Sequence, residues 1–159
     1  MVEWKDGIGP MAGSAELSSE LRAIGSVARE VGLTPRAIRY YEKLGLLQPA
    51  VRVKGSDRLF DDSDVERLRD IKQLREVIGF SLAEISQLLE TDDARGKLRS
   101  RFRSATDPQV RKELLRQGIA LAERRLTIAE RKLAQVEAIR LDDCARLARL
   151  RALLAEEEK

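Results

Sequence analysis

Arg36, Arg39, Tyr40 and Lys43 fall on what helical spacing makes a single outer face. Ala37, Ile38, Tyr41 and Leu44 point the other way, partly inward. A guanidinium fork fits a guanine edge or a phosphate, and a phenol hydroxyl reaches phosphate oxygens. An ordinary solvated helix face with arginine–carboxylate pairs accounts for the same residues, so this face alone does not decide. A second basic cluster follows at close spacing. Arg52, Lys54 and Arg58 surround the polar turn Lys54-Gly55-Ser56-Asp57. The stretch 34–58 holds six basic and two acidic groups, although the whole chain is only +3. Basic charge gathered locally in this way suits a nucleic-acid surface.

Other chemistries are excluded by what is missing. Among 159 residues there is no histidine and one cysteine, Cys144. Histidine catalysis and an intrachain disulfide are ruled out, and a zinc cage would need ligands from more than one subunit. No metal site and no cofactor is expected. No paired acids, activated nucleophile or phosphate-binding loop appears, so the chain does not read as an enzyme. No apolar run has the length of a membrane span, and no basic-then-apolar leader is visible, which points to a cytoplasmic protein.

Residues 1–19 are acidic, contain Gly and Ser, and read as a flexible tail carrying Trp4. Ile24, Val27, Ala28 and Val31 then mark a short helix ended by Gly32. Thr34-Pro35 starts the next, with a hydroxyl cap and proline at the first helical position, and Gly45 ends it. Two short helices about a glycine turn make a helix-turn-helix. Val51-Arg52-Val53 and Arg58-Leu59-Phe60 flank the polar turn as a small hairpin, a wing. Ser63 to Glu66 has the pattern of a capping box, opening a helix whose apolar face is Val65, Leu68, Ile71, Leu74 and Ile78, with Gly79 as its stop. Ser81 to Glu84 repeats the pattern for a helix bearing Leu82, Ile85, Leu88 and Leu89.

Residues 91–107 form a basic connector. Its charges either extend a backbone contact or keep the linker soluble. Thr106-Asp107-Pro108 starts another helix, in which Leu115, Ile119, Ala122, Leu126, Ala129, Leu133 and Val136 keep spacings of four and three, a heptad seam for dimerisation. The seam breaks near Arg140, so the dimerisation helix is expected over 108–140, and Asp142-Asp143 opens a separate short helix within 141–159. Cys144 on that helix is either a redox-active thiol or a small, partly buried core residue.

Residues 24–90 resemble the DNA-binding head of the MerR family of bacterial transcription regulators. The matching stretches are Ile24–Ala28, Val31–Thr34, Arg39–Glu42, Gly45–Leu47, Arg58–Phe60, Asp64–Leu68 and Gly79–Ile85. The resemblance implies a mainly α fold: a winged helix-turn-helix head of four helices and a β-hairpin wing at 20–90, then a long antiparallel coiled-coil dimerisation helix. It implies DNA contacts from Ser26, Thr34, Arg36, Arg39, Tyr40, Tyr41, Lys43, Arg52, Lys54 and Arg58. It further implies a homodimer on double-stranded promoter DNA that bends and untwists a promoter for RNA polymerase. One departure is Asp57, where wings of this family often carry an aromatic residue. The effector, if there is one, is unknown from the sequence. Two other readings compete: an architectural or partitioning DNA-binding protein without effector response, and a coiled-coil scaffold.

Overall fold

The computed structural model describes residues 21–48, 51–52 and 58–158. The tail expected over residues 1–19 lies outside them. The order of elements is β1 (Arg22–Ala23), α1 (Ile24–Val31), α2 (Pro35–Lys43), β2 (Val51–Arg52), β3 (Arg58–Phe60), α3 (Asp62–Lys72), a π-helical continuation (Gln73–Val77), α4 (Leu82–Ser104) and α5 (Pro108–Glu157). The chain divides into two compact units, one up to Ser86 and one from Gln87 onward.

In the first unit the helix-turn-helix closes as the sequence predicts. Gly32 sits at φ 69°, and the Leu33 N–H donates to the Ala28 carbonyl at 2.8 Å, which satisfies an orphan carbonyl of α1. The Lys72 ammonium, from α3, donates to the Val31 and Gly32 carbonyls at 2.9 and 3.2 Å. A cation thus closes the negative end of α1. A Cβ at Gly32 would lie 2.8 Å from Lys72 Nζ. Gly32→Ala should therefore lower stability by roughly 1–2 kcal/mol, since it adds the left-handed penalty and displaces this cap. Denaturant unfolding with a lower midpoint and an unchanged slope is the expected record. Equal midpoints would show that the turn tolerates a side chain.

Val27, Ala28, Val31, Ile38, Tyr41, Leu46, Leu47, Phe60, Val65, Leu68, Ile71, Phe80 and Ile85 form the core. The wing is part of a three-stranded antiparallel sheet in the order β1-β3-β2, not a free hairpin. β1 pairs with β3 through Arg22↔Phe60 and Ala23↔Leu59, and Arg52 stands opposite Arg58 between β2 and β3. Arg22 anchors the added strand by ion pairs to Glu30, at 2.7 Å, and to Asp62.

The start of α3 differs from expectation. The capping box is Asp61 with Asp64, not Ser63 with Glu66. Asp61 leaves its β-region backbone just ahead of the helix, and the Ser63 hydroxyl donates to its carboxylate at 2.7 Å. Burial alone would raise the Asp61 carboxyl. The Ser63 hydroxyl, the N–H groups of Asp64 and Ser63 and the charge of Arg22 outweigh it and hold the group below the ordinary carboxylate range. A depressed native pKa contributes stability above the unfolded value and loses it as pH falls through the native one. Asp61→Asn should flatten the acid limb of the stability–pH curve below about pH 4. An acid limb identical to the parent's would remove Asp61 from that linkage.

The apolar face of α3 ends sooner than its spacing suggests. Between Gln73 and Val77 the bonds widen, with the Ile78 N–H donating to the Gln73 carbonyl at 3.2 Å. One extra residue in a turn rotates the residues beyond it by about 100°. Ile78 is accordingly exposed, and Val77 is 78% exposed. Ser81 and Glu84 do form the expected reciprocal cap, at 2.7 and 3.2 Å.

In the second unit the region read as a connector is helical as far as Ser104. After a short turn, Asp107 caps α5 by accepting from the Gln109 N–H at 2.7 Å, with Pro108 in the first helical position. α4 runs back beside α5. Arg125 donates to Asp92 at 2.6 Å, and the Arg111 guanidinium lies 3.9 Å from the Phe102 ring centre. Leu114, Gly118 and Ile128 are buried on this side. The separate C-terminal helix expected after residue 140 is not formed, because α5 is one helix of 50 residues. Its only glycine is Gly118, and no proline follows Pro108. Where the break was expected, Arg140 pairs with Glu137 at 2.6 Å and Arg146 with Asp142 at 3.9 Å, so polar residues stitch the helix across the gap in its seam. Cys144 is exposed, which removes the reading of a core residue within the chain.

Candidate nucleic-acid interface

The α2 helix is held by local chemistry before it meets anything else. The Thr34 hydroxyl oxygen accepts the Ala37 N–H at 3.1 Å, and Pro35 supplies a preset first turn. At the other end Gly45, at φ 75°, lets its own N–H reach the Glu42 carbonyl and that of Leu46 reach Tyr41, both at 3.0 Å. The Arg67 guanidinium then fixes the departing chain through the Leu46 carbonyl at 2.6 Å. Ile38 and Tyr41 are buried and anchor the inner face.

This anchoring turns Arg36, Arg39, Tyr40 and Lys43 outward, and all four are exposed, Tyr40 at 50%. Most of the other basic side chains of this unit are spent inside the fold. Arg22 and Arg69 bind Glu30, Arg69 also binds Glu66, and Arg67 and Lys72 bind carbonyls. Among the described residues, none forms an ion pair with Arg36, Arg39 or Lys43. The outer face of α2 therefore presents three cations without an ion-pair partner among the described residues, beside the exposed Tyr40 phenol. Ser26 on α1 and Thr34 are also exposed, and the Thr34 hydroxyl proton remains available while its oxygen caps the helix.

Tyr41 is placed differently from the contact set that the resemblance implies. It is 6% exposed, at the helical step after Ile38, and belongs to the core. Burial raises its hydroxyl pKa, the nearby Arg75 charge lowers it and Glu76 raises it. The ring packs 6.5 Å from that of Tyr40. It positions its neighbour rather than offering a free face. In the wing, the backbones of Arg52 and Arg58 are set opposite each other, while Lys54 and Asp57 lie outside the described residues.

Sequence reasoning missed two contributors. The strand β1 is two residues long and has no periodicity to detect. Arg75 is exposed on the π-helical segment and close enough to act electrostatically on Tyr41 at the end of α2.

A cationic, aromatic helix face on a helix-turn-helix that shares its unit with a small antiparallel sheet suits a DNA-binding head, and comparison with known proteins agrees. Residues 22–92 match the model of the MerR HTH family regulatory proteins. The HTH-type transcriptional regulator YfmP of Bacillus subtilis (strain 168) is 38% identical over 96 residues, covering 60% of this chain and 69% of that protein. This chain belongs to the MerR family. It is a DNA-binding transcription regulator and not an enzyme. A probable heavy metal-dependent transcriptional regulator of Haemophilus influenzae is 49% identical over 70 residues, 44% of this chain and 54% of its own length. Among solved structures, the regulator PbrR691 of Ralstonia metallidurans CH34, in complex with lead(II), aligns at a TM-score of 0.44, with 27% identity over 78% of this chain and 86% of that one. The MerR match takes in the head and the start of α4. No helix among the described residues is long and apolar enough to cross a membrane.

Proposed function

We propose that the chain acts as a homodimer on promoter DNA, with α2 in the major groove of each half-site and the wing on the adjoining backbone. The observation that carries this reading is the outer face of α2, where Arg36, Arg39 and Lys43 have no ion-pair partner among the described residues while neighbouring cations are engaged. In this reading Arg36 and Arg39 serve base edges and Tyr40, Thr34 and Ser26 phosphate oxygens, while Lys43 and, from the sequence alone, Arg52, Lys54 and Arg58 serve the backbone. Two heads bound at both half-sites can bend and untwist the DNA between them. The cost is several kcal/mol, offset by the added contacts, and the change realigns promoter elements for RNA polymerase.

The Haemophilus influenzae relative carries a metal dependence in its name. This chain brings one thiol and no histidine, and no cluster of three metal-binding side chains occurs among the described residues. We therefore read its response as independent of a thiolate–imidazole metal cage. Cys144 is exposed with Arg140 Nη1 3.9 Å from its sulfur, and it is open to oxidation.

Titration of a fluorescent operator duplex with the parent and with Arg36→Ala/Arg39→Ala/Lys43→Ala tests the interface. Removing three cations per subunit should abolish preference for the operator over random duplex. A variant that keeps operator affinity and salt dependence would place the DNA elsewhere on the molecule.

A further inference from the structure

We propose that the two α5 helices pair in one antiparallel register, with Leu126 facing Ala129 of the second copy and Lys112 facing Asp143 of the second copy at each end. The inference rests on the homodimer reading above and specifies its geometry.

The face to be covered is visible in the single chain. Leu114 and Ile128 are buried beside α4. Leu115, Ile119, Leu126, Leu133 and Val136 on another side are 40–69% exposed, with Ala122 and Ala129 exposed between them. Lys112 lies one heptad step before this stripe, and Arg140 and Asp143 lie one and two steps after it. Charges beside the stripe are mostly satisfied within the helix: Arg116 by Glu113, Glu137 by Arg140, Asp142 by Arg146. Among the described residues, neither Lys112 nor Asp143 has an ion-pair partner. Two opposite charges on the line of contact are thus left over, about nine turns of sequence apart.

A parallel pair cannot use them. It stacks Arg140 on Arg140 and Asp143 on Asp143, and it sets Ala122 and Ala129 against themselves, leaving voids. An antiparallel pair centred between residues 126 and 129 sets Leu126 on Ala129, Ala122 on Leu133 and Ile119 on Val136. Large then meets small through the middle layers. Leu115 receives the aliphatic stem of Arg140, and Lys112 meets Asp143, once at each end by the two-fold axis. Sliding one step in one direction puts Leu126 on Val136 and buries Asp143 against Ile119. Sliding one step the other way puts Leu126 on Ala122, sets Lys112 against Val136 and leaves Asp143 opposite Ala105. Each slipped register strands a charge against apolar or neutral surface, which the centred one avoids. The flanking pairs Arg116–Glu137 and Glu123–Glu130 oppose each other in sign at the solvent-exposed edge and decide little.

The test uses Lys112→Asp, Asp143→Lys and both together in the full chain. Each single exchange sets like charges at both ends and should weaken dimerisation on the order of tenfold. The double exchange restores opposite pairs and should restore the parent constant. A mixture of the two single variants should form heterodimers in preference to either homodimer, as read by native mass spectrometry. A dimeric parent with insensitive single variants, or a statistical mixture, overturns the register and leaves the homodimer standing. A monomeric parent overturns both.

Discussion

Leu126→Glu combined with Leu133→Glu should turn the proposed homodimer into a folded monomer. Both leucines are largely exposed in the single chain, at 56% and 69%, so neither supports the unit formed by α4 and α5. The residues that do, Leu114 and Ile128, face another way. The substitutions should leave helicity and thermal unfolding of the monomer nearly unchanged. In the dimer each would set a carboxylate against an alanine of the other copy, and the two-fold axis makes four such sites. An unpaired charge held in an apolar layer costs at least about 1–3 kcal/mol after relaxation. Four sites at the lower figure amount to about a thousandfold in the dissociation constant. Sedimentation equilibrium checks this, with circular dichroism as the folding control. A double variant that still sediments as a dimer would move the interface off this seam. DNA binding should fall with dimerisation, since one head alone grips one half-site.

Local chemistry made much of this legible in advance. Thr34 with Pro35, Gly32, Gly45, Ser81 with Glu84, and Asp107 with Pro108 each act through groups within a few residues, and each forms as its type and spacing predict. The outer face of α2 was legible for the same reason, because a helix fixed at both ends has one inner side. What needed the fold was whatever depends on partners distant in sequence or on a change of helical pitch. β1 exists because β3 offers it an edge. Asp61 replaces Ser63 as the cap because the chain leaves β3 already extended at Asp61. Ile78 is turned by one widened turn. Arg140 interrupts an apolar seam without interrupting a helix, since its pair with Glu137 and that of Asp142 with Arg146 run along the same helix across the gap. Tyr41 shows where helical spacing, which sent it inward, was the better guide than the contact set implied by the family.

The second large effect separates reading from gripping. Arg36 sits just after Pro35 in the first turn of α2, exposed and without an ion-pair partner among the described residues. In helix-turn-helix docking this turn meets base edges, where a guanidinium forms two directed bonds to one guanine. Lys54 falls in the polar turn between Arg52 and Arg58, and an ammonium on a flexible stem has nothing to fix it to one base. Arg36→Ala should therefore cost roughly 1–3 kcal/mol on the operator, with most of the loss confined to variants that keep the recognised base, so that the order of preference changes at one position in each half-site. Lys54→Ala should weaken every duplex by a similar factor and lower the salt slope by about one for each phosphate no longer neutralised, leaving the order intact. Titrations of both variants on the operator and on its single-base substitutions, at two salt concentrations, tell these apart. If Lys54→Ala reorders the duplexes while Arg36→Ala shifts them uniformly, the wing reads the sequence and α2 only holds the backbone.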